Sequence, residues 1–169
     1  SQGKCSNPNL PATNCVTAPA GLLAWWSAES NSLDRIGASV GSFAPATYSV
    51  GKVGTAFDFN GANNVVVPDQ PSFNPTNAIT IEGWVYPRAL TTTYAQDLIS
   101  KDGEFSGPRQ YMLTMGPPPG LDNGTGGFRA HVGVPGGFYF IDGATKIQLT
   151  NWYHVAMTYD GSALKLLVN

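Results

Sequence analysis

The acidic residues of this 169-residue chain are the first place to look for catalysis. Hydrolysis of a glycosidic bond needs two carboxyl groups about 5–10 Å apart, which on one β-strand means acidic residues two or four positions apart. Glu82 has no acidic residue at positions 80, 84 or 86, and Asp58 stands alone between two phenylalanines. The other acidic candidates fall in predicted loops or, for Asp97, where a loop meets a predicted strand: Glu29, Asp97, Asp102 and Glu104. The sequence therefore predicts no catalytic residues, and we expect a protein that is not an enzyme.

The two histidines, His131 and His154, are the other residues that could act as a base or hold a metal together. Each is the polar member of an alternating strand pattern, so a histidine packed at the surface explains both positions without any site. The sequence also shows no Ser/His/Asp order, no phosphate-binding glycine loop and no HExxH helix. We expect neither histidine to take part in catalysis or metal binding.

Aromatic side chains could contact a sugar, because the flat apolar faces of Trp and Tyr match the C–H face of a pyranose ring. Trp84 and Trp152 lie within strong strand patterns and are predicted to pack in the core or between sheets. The adjacent Trp25 and Trp26 point to opposite sides of an extended chain, so one is predicted to be buried and the other to cover a face or line a groove. The freer candidates for binding are one of these two tryptophans and two tyrosines, Tyr94 and Tyr139.

Polar loops supply a second set of candidate ligand-binding residues. An Asn-Gly corner carries three amide side chains, and the loops at residues 102–104 and 116–127 carry carboxylates and amides. Turn formation explains the same residue types, so both roles stay open for them. We predict a binding site on this loop rim, formed by Asn60, Asn63, Asn64, Tyr94, Asp102 and Asp122.

The composition excludes several classes of partner. Charged residues make up 12% of the chain and the formal net charge is −2, so the basic clusters that bind nucleic acid are missing. No apolar run approaches the roughly 20 residues that span a bilayer, and we expect no membrane span. Gly and Pro number 20 and 13, which disfavours helices and favours short strands joined by turns.

The stretch NWYHVAMTYDGSALKLLVN, residues 151–169, gives the clearest structural signal. Tyr153, Val155 and Met157 alternate with more polar residues before Asp160-Gly161, and apolar residues alternate again after it. Asp-Gly supplies the positive φ of a tight hairpin turn. This stretch is predicted to be a β-hairpin with one face on a core.

Similar patterns run along most of the chain. Residues 78–86 carry apolar groups on both faces, so we expect a strand that is covered on both sides. The spacing and turn signals predict an all-β protein, a two-layer antiparallel β-sandwich or jelly roll. The predicted strands, in addition to the final hairpin, are residues 22–26, two within 56–67, 78–86, 97–101, 110–115, 128–134 and 138–141.

Cys5 and Cys15 lie in a Pro- and Asn-rich segment, residues 1–20, that shows no periodicity. No further Cys or His is close enough to complete a metal site, so a disulfide is predicted, worth about 2–3 kcal/mol by loop entropy. A disulfide implies an oxidising setting outside the cytoplasm. The chain starts at Ser1, which we read as a mature or trimmed product.

Five motifs resemble, in this order, the successive signatures of laminin-G-like, concanavalin A-like jelly-roll domains, in the variety common in large secreted bacterial proteins. The motifs are GLLAWWSAESNSLDRIG, GKVGTAFDFNGANNVVVP, SFNPTNAITIEGWVYP, LISKDG and NWYHVAMTYDGSALKLLVN. The resemblance covers residues 21–169, which we expect to form one such domain after the irregular segment 1–20. It implies a sandwich of two curved antiparallel sheets in a secreted or cell-surface module that recognises a glycan or a protein and requires no cofactor.

The resemblance also raises calcium as a ligand. In many relatives the corner matching Asn63 and Asn64 carries Asp, and in pentraxin-like domains this corner helps to hold calcium. Amides are neutral and weaker ligands for this hard cation. Asn63 and Asn64 are therefore a candidate calcium site with an incomplete ligand set.

Relatives continue beyond the residue matching Asn169 with further strands, which this chain lacks. A sandwich without them exposes sheet edges that recruit other chains, so we expect either a cut chain or a second polypeptide that supplies the missing strands. Three functions stay open: a recognition or adhesion module, a structural subunit of a surface or filament assembly completed by its neighbour, and a glycoside hydrolase, an activity that the wider superfamily includes.

Overall fold

A computed structural model describes residues 18–37, 39–91, 95–101, 110–116 and 126–169 of the chain. The chain divides into two compact units, one ending at Phe73 and the other beginning at Asn74. Within the described residues all regular elements are β-strands except one 3-10 turn at Pro71–Phe73, which confirms the predicted all-β class. The strands are β1 Ser42–Phe43, β2 Tyr48–Val50, β3 Thr55–Phe57, β4 Val65–Val66, β5 Ile79–Val85, β6 Gln96–Lys101, β7 Tyr111–Met115, β8 Phe128–Val134, β9 Gly137–Asp142, β10 Tyr153–Tyr159 and β11 Leu164–Val168.

The described residues of the second unit form two antiparallel sheets. Strands β6, β7, β8 and β9 form a meander in that order, so each strand pairs with its neighbour in sequence. The other sheet has the order β11-β10-β5, in which β10 lies between the other two strands. Alternation along each strand places one set of side chains between the sheets and the other set on an outer face.

The inward-facing residues of these two sheets meet in one core. Phe128 of β8 and Tyr153 of β10 pack with ring centroids 5.4 Å apart, so the contact joins the two sheets directly. Two sheets packed face to face confirm the predicted two-layer antiparallel sandwich. The buried cluster consists of Leu113, Phe128, Ala130, Tyr153, Val155 and Met157.

Strands β10 and β11 form the hairpin that the sequence predicts. Their connection spans residues 160–163 and is longer than a two-residue turn, because Tyr159 pairs with Leu164. The Asp160 carboxylate accepts hydrogen bonds from the backbone N–H of Ala163 at 2.8 Å, and from the N–H and hydroxyl of Ser162 at 2.9 Å each. These hydrogen bonds, with that of Ala163 the strongest cause, lower the pKa of Asp160 to about 2.

The described part of the first unit contains two small sheets, one pairing β1 with β4 and the other pairing β2 with β3. Three of its aromatic residues pack around Phe43, whose ring lies 5.6 Å from Tyr48, 5.3 Å from Phe57 and 5.6 Å from Phe59. Phe57 and Phe59 also contact each other, with ring centroids 6.0 Å apart. Aromatic packing therefore holds this unit's strands together.

The predicted strand at residues 22–26 is wrong. Trp26 forms a single β-bridge with Asp34 instead of a ladder. The N–H of Trp25 donates to the Asp34 carboxylate at 2.9 Å, and its carbonyl accepts from the N–H of Arg35 at 2.8 Å. Both backbone groups of Trp25 are thus satisfied by residues 34 and 35 rather than by a partner strand. Trp25 is half exposed while Trp26 packs on Phe73, with ring centroids 6.0 Å apart.

Among the residues that the structure describes, no helix has the length and apolar character needed to cross a bilayer. Cys5 and Cys15 lie outside the described residues, so their disulfide stays a prediction.

Candidate functional site

The outer face of the three-stranded sheet carries the best candidate site. The register places His154 opposite Trp84 and Ala156 opposite Glu82, while Leu167 flanks Ala156 from the other side. All five side chains lie on the face opposite the core, because they alternate with Val155, Met157 and their neighbours on each strand. We call this surface, formed by Glu82, Trp84, His154, Ala156 and Leu167, the Trp84 face.

Trp84 dominates this face. Its side chain is 50% exposed and lies beside the imidazole of His154, with ring centroids 5.2 Å apart. Nε2 of His154 lies 3.8 Å from a carboxylate oxygen of Glu82, and more than half of that carboxylate side chain is accessible. Ala156 is buried between these larger residues. A large indole, a polar imidazole and an open carboxylate therefore surround a small central residue.

A second aromatic pair lies at the end of β5. The rings of Tyr86 and Trp152 are 5.1 Å apart, and Tyr86 is exposed. Tyr86 follows Trp84 by two residues, so both project toward the same side of the extended chain. Aromatic surface thus continues from the Trp84 face toward the start of β10.

The chemistry of the Trp84 face suits recognition of a hydroxylated ligand. The exposed indole can stack on the apolar side of a sugar ring. The Glu82 carboxylate accepts hydrogen bonds from hydroxyl groups, and the imidazole of His154 can donate or accept one. The neighbouring positions on the face, Thr80, Trp84 and Ala156, carry no carboxylate that could pair with Glu82.

Two of the sequence-based predictions for this surface are wrong. Trp84 was expected to pack in the core or between sheets, and β5 was expected to be covered on both faces. The structure instead exposes Thr80, Glu82, Trp84 and Tyr86 on one face of the strand. The alternating pattern located the two faces of β5 correctly, but it could not show that the second face stays open.

The structure describes only some of the residues that were predicted to form a binding site on the loop rim. Tyr94, Asp102 and Asp122 lie outside the described residues, and so do most of the loops around them. Asn60 and Asn63 lie in the first unit, where the Asn63 side chain accepts a hydrogen bond from the N–H of Asn60 at 3.0 Å. The structure therefore brings part of the predicted set together and does not describe the rest.

The side chain of Asn63 also organises its own loop. Its amide group donates to Oγ1 of Thr47 and to the carbonyl of Asp58, both at 3.0 Å. Asn64 is exposed. The described residues contain no group of three or more His, Cys, Asp or Glu side chains arranged for a metal. Calcium at Asn63 and Asn64 stays a prediction.

Strand β9 exposes apolar side chains on both of its faces. Phe138, Tyr139, Phe140 and Ile141 are each between about one third and three fifths exposed, and we call these four residues the β9 strip. Tyr139 was predicted to be accessible, and the structure places it in this strip. His131 was predicted to pack at the surface, but it is only 7% exposed because the rings of Phe138 and Phe140 lie 6.2 and 6.0 Å from it.

The β9 strip has one charged neighbourhood, at its C-terminal end. Arg129 forms an ion pair with Asp142, donating through Nη2 at 2.9 Å and also through Nε. Its guanidinium carbon lies 4.9 Å from the ring centroid of Phe140, a cation–π contact. The charged groups at this end of the strip are therefore paired with each other.

Comparison with known proteins agrees with this architecture. A family model described as the concanavalin A-like lectin/glucanases superfamily, Laminin_G_3, matches residues 59–169, which is more than half of the chain. The chain belongs to this superfamily, and the resemblance drawn from its motifs is confirmed over residues 59–169. A search of curated proteins gave no match.

One solved structure is similar to the chain. It is domain 4 of AbnA, a GH43 extracellular arabinanase from Geobacillus stearothermophilus, in complex with arabinotriose. The alignment has a TM-score of 0.62 and 21% sequence identity, and it covers 82% of this chain and 66% of that one. Similarity at this identity shows a common fold, here the concanavalin A-like β-sandwich.

Proposed function

We propose that the chain is an extracellular, non-enzymatic module that binds a glycan through the Trp84 face. The observation that carries the proposal is the half-exposed indole of Trp84 beside the imidazole of His154 and the accessible carboxylate of Glu82. This combination offers a stacking surface together with hydrogen-bonding groups, which are the two elements of sugar recognition.

The superfamily and the similar structure support this assignment. The superfamily includes lectins by its description, and domain 4 of the arabinanase was solved with arabinotriose bound. That domain belongs to an extracellular protein, which favours an extracellular location for this chain as well. Arabinotriose is accordingly a sensible first probe, together with other neutral oligosaccharides.

The proposal of a binder rather than a hydrolase rests on Glu82. Glycoside hydrolysis needs a second carboxyl group within about 10 Å on the opposite side of the scissile bond. Along β5 and across to β10, the residues that border Glu82 on its face are aromatic, hydroxylated or aliphatic. Glu82 therefore serves as a hydrogen-bond acceptor in this proposal.

The test is a titration of the chain with arabinotriose, xylotriose, cellotriose and laminaritriose, followed by calorimetry and by tryptophan fluorescence. We expect at least one of these to bind and to be retained without cleavage. Substitution Trp84→Ala should weaken binding at least tenfold, and Glu82→Gln should weaken it less, because the amide still accepts a hydrogen bond.

Trp25→Ala is the matched control, since Trp25 is similarly exposed but lies in the first unit. It should leave binding unchanged. Equal losses in both tryptophan variants would assign the fluorescence change to general perturbation and overturn the site. Release of shorter sugars from any probe would overturn the non-enzymatic assignment, and repeating the titration with calcium and with a chelator tests the predicted cation.

A further inference from the structure

The β9 strip lies at the margin of its sheet. In the order β6-β7-β8-β9 of the described residues, β9 has a strand neighbour on one side. The register with β8 runs from Arg129–Asp142 to Val134–Gly137 without a shift. The segment between Gly137 and Ile141 contains no Lys or Pro, which are two of the devices that protect natural edge strands from pairing with other chains.

The hydrogen bonds of the sheet show which backbone groups of β9 point outward. The N–H of Gly143 donates to the carbonyl of Phe128 at 2.8 Å, so this pair is a hydrogen-bonded one. Hydrogen-bonded and non-hydrogen-bonded pairs alternate along an antiparallel ladder. Ile141 and Tyr139 therefore direct their backbone groups toward β8, whereas the N–H and C=O of Phe140 point away from the sheet.

The sequence of the strip complements itself about Phe140. If two copies of β9 run antiparallel around a two-fold axis at this residue, Phe140 faces Phe140 of the second copy as a hydrogen-bonded pair. Tyr139 then faces Ile141 as a non-hydrogen-bonded pair, in which side chains approach most closely. An aromatic residue opposite a β-branched one is among the favourable cross-strand combinations.

Charges do not oppose this arrangement. The only charged residue of β9 is Asp142, and its carboxylate is already paired with Arg129 of the same chain. In the two-fold register Asp142 lies opposite Phe138 of the second copy, so the two carboxylates are about 13 Å apart along the strands. No like charges meet at the centre, where the exposed residues are apolar.

We propose that two copies of this chain associate through their β9 strands, antiparallel and centred on Phe140, to extend the four-stranded sheet across the dimer. Strand addition of this kind combines backbone hydrogen bonds with burial of alternate side chains. The contact is small, so the dimer should be weak, and the dimeric fraction should rise with protein concentration by mass action. It uses residues outside the Trp84 face and does not depend on glycan binding.

The test begins with sedimentation velocity of the chain over a wide concentration range. We expect a monomer–dimer equilibrium that Phe140→Lys weakens at least tenfold, because the substitution places two charges opposite each other at the axis. Val53→Lys, on another exposed apolar residue of the first unit, is the control and should leave the equilibrium unchanged. Circular dichroism checks that both variants remain folded.

Cross-linking decides the register. Residues in a hydrogen-bonded antiparallel pair have Cα atoms about 5.5 Å apart, a distance that a disulfide can bridge. Phe140→Cys should therefore form covalent dimers faster than Val53→Cys under mild oxidation. Equal cross-linking rates in the two variants, or a dimer that Phe140→Lys leaves intact, would each overturn the proposal.

Discussion

The Trp84 face and the β9 strip both expose aromatic side chains, yet their surroundings differ. Trp84 lies on the outer face of a sheet, with an imidazole and a carboxylate beside it. The β9 strip lies on a sheet margin, and its nearest charged groups, Arg129 and Asp142, are paired with each other. The first surface offers hydrogen bonds from side chains, and the second offers them mainly from the backbone.

We infer from this difference that the neighbours of an exposed aromatic residue decide which kind of partner it suits. A sugar presents hydroxyl groups at many angles, which a carboxylate and an imidazole can meet. An extended polypeptide presents a regular row of N–H and C=O groups, which the margin of a sheet can meet. We therefore assign the two surfaces to two kinds of partner, and the following variants test that division.

Phe128→Ala should have the largest effect, because both surfaces depend on the same core. Phe128 is fully buried on β8 and contacts Tyr153 on β10, so its truncation removes a contact between the sheets. We expect a loss of about 3–5 kcal/mol in the free energy of unfolding. Urea denaturation measures this change, and glycan binding and dimerisation should weaken together. If the destabilised variant kept full glycan binding or full dimerisation, the surface responsible for that property would not depend on the packing of Phe128.

Measuring both variants, Trp84→Ala and Phe140→Lys, in both assays should show that the two surfaces act independently. Trp84→Ala should reduce glycan affinity at least tenfold, or about 1.4 kcal/mol, and leave the dimerisation constant unchanged. Phe140→Lys should show the opposite pattern. Calorimetry with the best oligosaccharide and sedimentation of the same samples provide both readouts. If each variant weakens both processes, the two surfaces form one site and the division fails.

Gly83→Ala, on the inner face of β5, should change the stability of the protein without changing glycan binding at the outer face. Gly83 is opposite Val155 on the core side, and a Cβ atom added there meets nothing within 4 Å. Because Ala also restricts the unfolded chain, we expect a gain of about 0.4–1 kcal/mol in the free energy of unfolding. Thermal denaturation measures the gain, and glycan affinity should not change. A loss of stability would instead mean that the backbone at residue 83 does not tolerate a Cβ atom.

Acid should have the smallest and most local effect, in the loop between β10 and β11. The pKa of Asp160 is lowered to about 2 by the N–H groups of Ala163 and Ser162. Since folding lowers this pKa, the carboxylate stabilises the protein above its usual pKa near 4, and the contribution is lost as the pH falls through about 2. The midpoint difference between the wild-type chain and Asp160→Asn should therefore shrink over that interval. A difference that stays constant down to pH 2 would contradict this role.

The sequence predicts the sandwich well because alternation is a local property. The inward set on β10, with Val155 and Met157 fully buried, follows directly from the period of two. The segment containing Trp25 misleads for the opposite reason, since its apolar run suggests a strand although its backbone bonds to Asp34 and Arg35. A pattern records which residues share a face but not which distant segment satisfies the backbone.

The candidate site was harder to predict than the fold. Alternation placed Glu82 and Trp84 together on β5, but His154 joins them only through the pairing of β5 with β10, seventy residues apart in the sequence. Whether another element covers that face depends on residues elsewhere in the chain. The residue types within β5 do not indicate this. The sequence instead predicted ligand binding at amide-rich loops. In the structure, hydrogen bonds of the Asn63 side chain hold its own loop in shape.

The two-sided character of β10 also affects how the protein can diversify. Tyr153, Val155 and Met157 are constrained by the core, whereas His154 and Thr158 border the outer face. Mutations at the second set can alter ligand preference with little effect on folding, because they remove no buried contact. Ala156 lies at the centre of that face, so a larger residue there would raise its floor and select among ligands by shape. A lineage could in this way acquire new specificities one residue at a time while its scaffold stays fixed.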